Sequence, residues 1–243
     1  MNSAADVRNA LAEVADAGDA AFLQRFFKTG PGQYGEGDLF IGVRVPQTRS
    51  VAKRFTSLPL EEIEVLVGSE VHEHRLAALF ILNAQFAAVS RSTTRDEDAR
   101  ERMVAFYLAA VRSGRVNNWD LVDSSAEFVL GEYLFGRSRE PLFDLAESPS
   151  LWERRVAVLA SFAFLKHGDA STTLELAERL LGDREDLIHK AVGWMLRETG
   201  KRVDRALLTG FLDAHAARMP RTMLSYATEH LDPAVRAEYR SRR

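Results

Sequence analysis

The segment from Val116 to Ser125 holds the residues best suited to chemistry. Asn118 can cap a helix that Trp119 opens. Asp123 follows Trp119 by four residues, so both side chains fall on one helix face, one turn apart. The carboxylate lies on the flank of an apolar stripe beside an indole, where it is partly desolvated and must find a partner. Both groups attract positive charge, although core packing for Trp119 and a capping or ion-pairing role for Asp123 are the structural alternatives.

Two further tryptophans stand near basic residues. Trp194 lies in mid-helix between Lys190 and Arg197, and Trp152 opens a helix just before the Arg154–Arg155 pair. Core packing is the ordinary role of a tryptophan, and we assign that role to Trp152. For Trp194 the residue types alone leave core packing and a functional role open.

Several classes of site are excluded by what the chain lacks. It has no cysteine, so disulfides, thiolate metal sites and cysteine nucleophiles are ruled out. His72 and His74 are two residues apart and face different sides of a helix, which is not the spacing of a metal-binding pair. The glycines at 30, 32, 35 and 37 do not follow a predicted strand, which argues against a nucleotide-binding loop. We therefore predict no metal site.

Helical periodicity recurs along the chain and predicts the elements that would position these residues. Similar apolar helical segments occur at His74–Leu82, Trp152–Ala160, Ile188–Arg197 and Met219–Ala227, with one further helical pair around 119–134. A period of roughly 30–47 residues with two helices in each unit is typical of HEAT-like repeats. We therefore predict an all-α HEAT-like helical-repeat solenoid, an α-α superhelix, forming a single domain over residues 1–243.

Each of these segments carries a basic residue directly before its apolar run: Arg75, Arg155, Lys190 and Arg221. In stacked helix pairs the start of every second helix lines one concave face, so these side chains would form a ladder of cations along it. Such a concave basic face would suit a nucleic-acid backbone. Capping of neighbouring helices or pairing with acidic residues explains the same pattern, and the sequence leaves both interpretations open.

The composition limits the partners and the location. The net charge is −3, from 32 basic and 35 acidic residues, so any positive surface must be local. No apolar run approaches the ~18 residues of a membrane span, and the N-terminal segment lacks the features of a signal peptide. We expect a cytoplasmic protein without membrane contact. We also expect a monomer, because polar terminal repeats can cap a helical stack.

Four pieces of the chain together resemble the AlkD-type DNA alkylation repair glycosylases, a HEAT-like-repeat family. They are Phe40–Pro46, Trp119–Asp123, Trp152–Arg155 and Lys190–Glu198, and the resemblance extends from about residue 22 to about residue 227. The second and fourth pieces, in this order and spacing, are its most specific part. The chain departs from the family pattern in a longer loop over residues 30–38 and in Phe26, which stands where a tyrosine is expected.

The resemblance implies a monofunctional glycosylase that acts in base excision repair. Its substrates would be cationic purines alkylated at ring nitrogen 3 or 7 in double-stranded DNA, and it would need no metal or cofactor. The catalytic residues implied are Asp123, Trp119, Trp194 and Arg155. The DNA-binding residues are Arg75, Arg154, Lys190, Arg197 and Arg221.

The chemistry implied by the resemblance suits these residue types. An alkylated cationic purine is already a good leaving group, so positive charge develops mainly on the deoxyribose. The carboxylate of Asp123 would stabilise that charge and hold the attacking water. The indoles of Trp119 and Trp194 would pack on the sugar and backbone. Arg155 would anchor the adjacent phosphate and keep Asp123 ionised.

Two other functions use the same fold. A non-catalytic member would bind damaged or structured DNA without cleaving it, and a helical-repeat scaffold would bind other proteins. The presence of the complete tryptophan, aspartate and arginine set favours the enzyme over the first. A basic concave face favours DNA over the second, which would expect an acidic or apolar face.

Overall fold

The computed structural model of the protein describes residues 2–242, and these residues fold into α-helices. Within that range there is no β-strand, and one isolated bridge joins Leu39 to Val71. The predicted all-α class is therefore confirmed. None of the helices described is both long enough and apolar enough to cross a membrane.

The chain divides into two compact units, Met1–Val129 and Leu130–Arg243. Each has its own apolar core: Leu79 is fully enclosed in the first, and Phe164 in the second. The single domain over residues 1–243 and its concave basic face, both expected from the sequence, stay predictions.

The N-terminal unit packs its helices around a long central one. The helices are α1 (Ala4–Ala12), α2 (Ala17–Phe26), α3 (Val45–Ala52), α4 (Leu60–Val67), α5 (His72–Ser90), α6 (Glu97–Arg112) and α7 (Trp119–Asp123). Helix α5 is the central one, since α1, α3, α4 and α6 all pack against it. Pro46 lies in the first turn of α3 and Pro59 directly precedes α4, which are positions that suit proline. The apolar periodic segment over residues 4–27 forms two helices, α1 and α2.

The C-terminal unit repeats a helix pair. Its helices are α8 (Glu132–Leu134), α9 (Glu140–Ala146), α10 (Leu151–Lys166), α11 (Ser171–Arg179), α12 (Asp186–Arg202), α13 (Arg205–His215), α14 (Arg221–Ala227) and α15 (Pro233–Ser241). The long helices α10 and α12 pack side by side. The shorter α9 packs against α10, and α11 packs against both α10 and α12. This alternation is the helical repeat that the sequence predicts, and the predicted basic segments fall at the starts of α10, α12 and α14.

Gly193 explains how closely α12 and α14 approach each other. A Cβ at this position would lie 2.5 Å from the carbonyl oxygen of Met223 and 2.6 Å from the Cβ of Tyr226. Only glycine fits there without moving the α14 backbone. The close contact fixes which side of α12 faces α14, and with it the direction of the neighbouring Trp194.

The predicted helical pair around 119–134 is divided by a turn. Helix α7 ends at Asp123, a turn covers residues 124 and 125, and a π-helical segment, Glu127–Gly131, follows. The hydroxyl of Ser125 donates to the carbonyl of Leu121 at 2.6 Å. Serine side chains that bond to nearby backbone groups compete with helix continuation in this way. The apolar side chains on both sides of this break, Val122, Ala126, Val129 and Leu130, are all buried.

Candidate active site

Helix α7 holds Trp119 and Asp123 at its two ends. Both side chains are partly exposed, whereas the intervening residues 120–122 are buried. Asn118 is the predicted N-cap, and its side-chain oxygen accepts a hydrogen bond from the backbone N–H of Trp119 at 2.9 Å. An isolated helix of five residues is not stable in water, so tertiary contacts must hold α7 in place.

Trp119 is held by a stack of aromatic rings. Its indole stacks on Phe27 with ring centroids 5.2 Å apart and an interplanar angle of 19°. Phe27 stacks in turn on Phe40 at 5.0 Å, and both phenyl rings lie against the imidazole of His72. The exposed indole thus rests on buried rings that limit its tilt.

The buried side chain of His72 holds α7 in place. Nε2 of His72 lies 2.8 Å from Oδ2 of Asp120, and Nδ1 lies 3.0 Å from Oδ2 of Asp38. The imidazole is 1% exposed and the two carboxylates are nearly as buried. Asp120 is the neighbour of Trp119 on α7, so this pair of contacts ties the helix to α5 and to the loop that ends at Asp38.

His72 is charged at neutral pH. Burial alone would lower its pKa, but the carboxylates of Asp120 and Asp38 outweigh burial and raise the pKa to about 9. As an imidazolium, the ring donates to both carboxylates at once. Burial also opposes ionisation of Asp38, but its contacts with His72 and Arg75 lower the pKa of that carboxyl below its ordinary value.

Arg75 belongs to this buried cluster. Its guanidinium is 3% exposed, and Nη2 lies 2.6 Å from Oδ1 of Asp38. It also donates to the carbonyls of Ser69 and Glu70 and to the side chain of Asn117. Such burial favours the acid-pairing alternative for Arg75. The DNA contact of Arg75 stays a prediction.

The end of α7 next to Asp123 is also fixed. Nδ2 of Asn83, on α5, donates to the carbonyl oxygen of Ser124 at 2.7 Å. The hydroxyls of Ser125 and Tyr107 lie 3.0 Å apart. Burial raises the pKa of the Tyr107 hydroxyl, and the negative charge of Asp123 raises it further. Tyr107 therefore stays neutral beside that carboxylate.

The C-terminal unit supplies the other two residues of the predicted catalytic set. Arg155, on α10, is 4% exposed and donates from Nη1 to the carbonyl oxygen of Leu187. Trp194, on α12, is partly exposed, and its indole lies against Phe162 with ring centroids 5.9 Å apart. The catalytic roles of Arg155 and Trp194 stay predictions.

Most of the predicted DNA-binding cations of this unit have acidic partners. Arg154 pairs with Asp183 at 2.7 Å and Lys190 with Asp186 at 2.8 Å, while Arg197 pairs with Glu229. Arg221 is exposed and donates to the carbonyl of Arg240 at 2.7 Å. Lys190 and Arg221 are the most accessible of the predicted set, since the side chains of Arg154 and Arg197 are only 14% and 18% exposed.

The family model described as DNA alkylation repair enzyme matches residues 7–231. The chain belongs to this family. Membership supports a role in the repair of alkylated DNA. A search of curated proteins finds no match.

A solved structure has the same fold. It is a predicted DNA alkylation repair enzyme from Enterococcus faecalis, 15% identical to this chain, with a TM-score of 0.67. The similarity covers 90% of this chain and 97% of that one. At this level of identity, the likeness supports the family's helical fold and carries no residue roles.

The buried ion-pair cluster that fixes α7 is not predicted from the sequence. The spacing of His72 only argued against a metal site, and no spacing pattern pointed to Asp38 or Asp120. One signal was available: Asp120 is a second carboxylate on the short helix that carries Trp119 and Asp123. A buried carboxylate needs a partner, and a nearby helix with a histidine and an arginine could supply one.

Proposed function

We propose that the protein is a DNA glycosylase. It would hydrolyse the N-glycosidic bond of cationic purines alkylated at ring nitrogen 3 or 7 in double-stranded DNA, as a step of base excision repair. The observation that supports this most is the presentation of Trp119 and Asp123 on one short helix fixed by buried charges, in a chain of the alkylation repair family.

The reaction needs little from the protein beyond charge stabilisation. As the bond between the sugar C1′ and the base nitrogen breaks, its electron pair goes to the base and neutralises the alkylated ring. Positive charge then develops on the sugar, where the carboxylate of Asp123 would stabilise it. A water molecule adds to C1′ and gives up a proton to Asp123 or to solvent, leaving a free alkylated base and an abasic site.

The other residues that the family resemblance implies would bind DNA and not react. The indole faces of Trp119 and Trp194 would pack on the sugar and backbone and attract the cationic sugar. Arg155 would hold a phosphate next to the lesion, with Lys190 and Arg221 on phosphates farther along the strand. None of these contacts reads a base edge, so the proposal expects little dependence on the flanking sequence.

The proposal is tested by incubating the protein with duplex DNA that contains a single 7-methylguanine. We expect free 7-methylguanine and an alkali-sensitive abasic site to form at equal rates, with EDTA present. A duplex with guanine at the same position is the control and should release nothing. Tight binding to the alkylated duplex without release of base would favour the non-catalytic alternative and contradict the proposal.

A further inference from the structure

Helix α2 leaves two large apolar rings in solvent. None of its side chains is buried, and Phe22 and Phe26 are 46% and 52% exposed. The two rings stack on each other with centroids 5.8 Å apart and planes at 17°. A helix that buries no side chain yet presents a pair of phenyl rings points to a surface that contacts something else.

The exposed rings continue onto Trp119. The edge of Phe26 faces the indole at a centroid distance of 6.2 Å and an angle of 72°. The indole also stacks on Phe27, which is 5% exposed and lies 5.1 Å from Phe26 between ring centroids. Phe22, Phe26 and Trp119 therefore form one aromatic surface.

Polar contacts hold α2 in place. Gly42 has a φ of 84°, and a Cβ there would lie 1.9 Å from the carbonyl oxygen of Asp16, so α2 begins directly against this glycine. Both carboxylate oxygens of Asp19 accept hydrogen bonds from Arg44, at 2.7 and 2.5 Å. Nε2 of Gln24 donates to the carbonyl of Asp38 at 2.7 Å. The phenyl rings are therefore presented by a fixed helix.

The charges around the aromatic surface favour an anionic partner. Arg25 and Lys28 are exposed, and among residues 2–242 neither forms an ion pair. The guanidinium of Arg44 lies 5.8 Å from the centroid of the Phe22 ring and balances the charge of its partner Asp19, so this pair adds no net negative charge beside the rings. A partner with flat apolar faces on a negatively charged backbone matches this combination of rings and cations.

We propose that the aromatic surface stacks on unpaired nucleobases of DNA next to Trp119. Phenylalanine has no hydrogen-bonding group, so it would hold a base by its face and not read its identity. The inference rests on the proposed function, because unstacked bases are expected where a lesion opens the duplex. It predicts a binding preference that can be measured with undamaged DNA. A duplex with unpaired bases should bind more tightly than a fully paired duplex.

The test compares two undamaged duplexes by fluorescence anisotropy, one fully paired and one with a bulge of three thymidines. The parent protein should prefer the bulged duplex. The double variant Phe22→Ala with Phe26→Ala should lose about tenfold of that preference, the size of one lost base-stacking contact. Exchanging both residues for tryptophan should keep it, since the stacking faces are retained. Phe135→Ala is the matched control, because that ring is 38% exposed on the C-terminal unit and stacks on His167.

The inference is overturned if the double alanine variant keeps the parental preference, or if it loses affinity equally for both duplexes. A dimer that the alanine substitutions dissociate would also overturn it, because the surface would then bind a second copy of the chain. The outcome is separate from that of the proposed function. A protein that prefers bulged DNA through these rings but releases no alkylated base would retain the inference and lose the glycosylase.

Discussion

The guanidinium of Arg75 is buried in the protein interior. Its partner Asp38 is equally buried, and the same carboxylate also faces His72. Removing one member of a buried ion pair leaves the other charge without compensation, which typically costs about 3–5 kcal/mol. The cluster as a whole is balanced, with two carboxylates, one guanidinium and one imidazolium.

Arg75→Gln should therefore lower the free energy of unfolding by about 3 kcal/mol, with little direct effect on DNA contacts. Urea denaturation measures the first effect, and DNA affinity at a temperature where the variant stays folded measures the second. Arg112→Gln is the control, since that side chain is exposed on α6 of the same unit and is not among the proposed DNA contacts. A variant of Arg75 that is as stable as the parent but binds DNA weakly would restore the DNA contact that the sequence suggested.

His72 should make stability depend on alkaline pH. Its pKa rises from 6.5 to about 9 on folding, so the folded state keeps a proton that the unfolded state releases. The stabilisation is fully present below pH 6.5 and is lost as pH rises through about 9. We expect the unfolding free energy to fall by on the order of 1 kcal/mol for each pH unit between these limits.

Urea denaturation of the parent and of His72→Gln over this pH range tests the expectation. The variant should be less stable than the parent near neutral pH and lack the alkaline slope. His230→Gln, at an exposed histidine, should behave like the parent. The same slope in His72→Gln as in the parent would show that the imidazolium is not its source.

Helix α7 depends on contacts with other elements for its position. Its five residues are capped by Asn118, anchored through Asp120 and followed by a turn that Asn83 holds. A displacement of about 1 Å in a catalytic group can lower a rate about 100-fold, so the anchor matters even though it touches no substrate.

Asp120→Asn should therefore slow base release by roughly 10- to 100-fold and change DNA affinity much less. Single-turnover rates and equilibrium binding on the same alkylated duplex separate the two effects. The reduced rate of base release should not rise with protein concentration, because the substitution changes the positioning of the catalytic group and not DNA binding. If affinity fell as much as the rate, the anchor would have a binding role instead.

The periodic elements could be predicted from the sequence, but the irregular ones could not. Apolar residues at helical spacing predicted α5, α10, α12 and α14, and the prolines at 46 and 59 lie at two helix starts. The position of the break after Asp123 could not be predicted, because it depends on the Ser125 hydroxyl donating to Leu121 and on Asn83 of α5 donating to Ser124. Likewise, Asp38 and His72 are far apart in sequence, and no local pattern reports such a contact.

The molecule as a whole has little positive charge available for binding DNA. The net charge is −3, and three of the predicted DNA-binding residues, Arg154, Lys190 and Arg197, lie beside acidic side chains. Those acids would keep the cations in position until phosphates replace them. Affinity should still depend on salt, because each phosphate contact releases counterions.

Lys190→Gln should reduce the slope of log affinity against log salt by about one, with no change in sequence preference. Titrations of an undamaged duplex at several salt concentrations measure the slope. Arg179→Gln is the control, since Arg179 is equally exposed but lies on α11 between Glu147 and Glu175. An unchanged slope for Lys190→Gln would remove that residue from the proposed phosphate contacts.

In the proposed reaction, the carboxylate of Asp123 promotes breakage of the glycosidic bond. The most direct test is the single-turnover release of 7-methylguanine by Asp123→Asn, measured together with affinity for the same duplex. The matched control is Asp98→Asn, which changes an exposed aspartate of the same unit. We predict near-parental affinity with release slowed by at least about 100-fold, the size expected when charge stabilisation is lost. Release at the parental rate by Asp123→Asn would contradict the account.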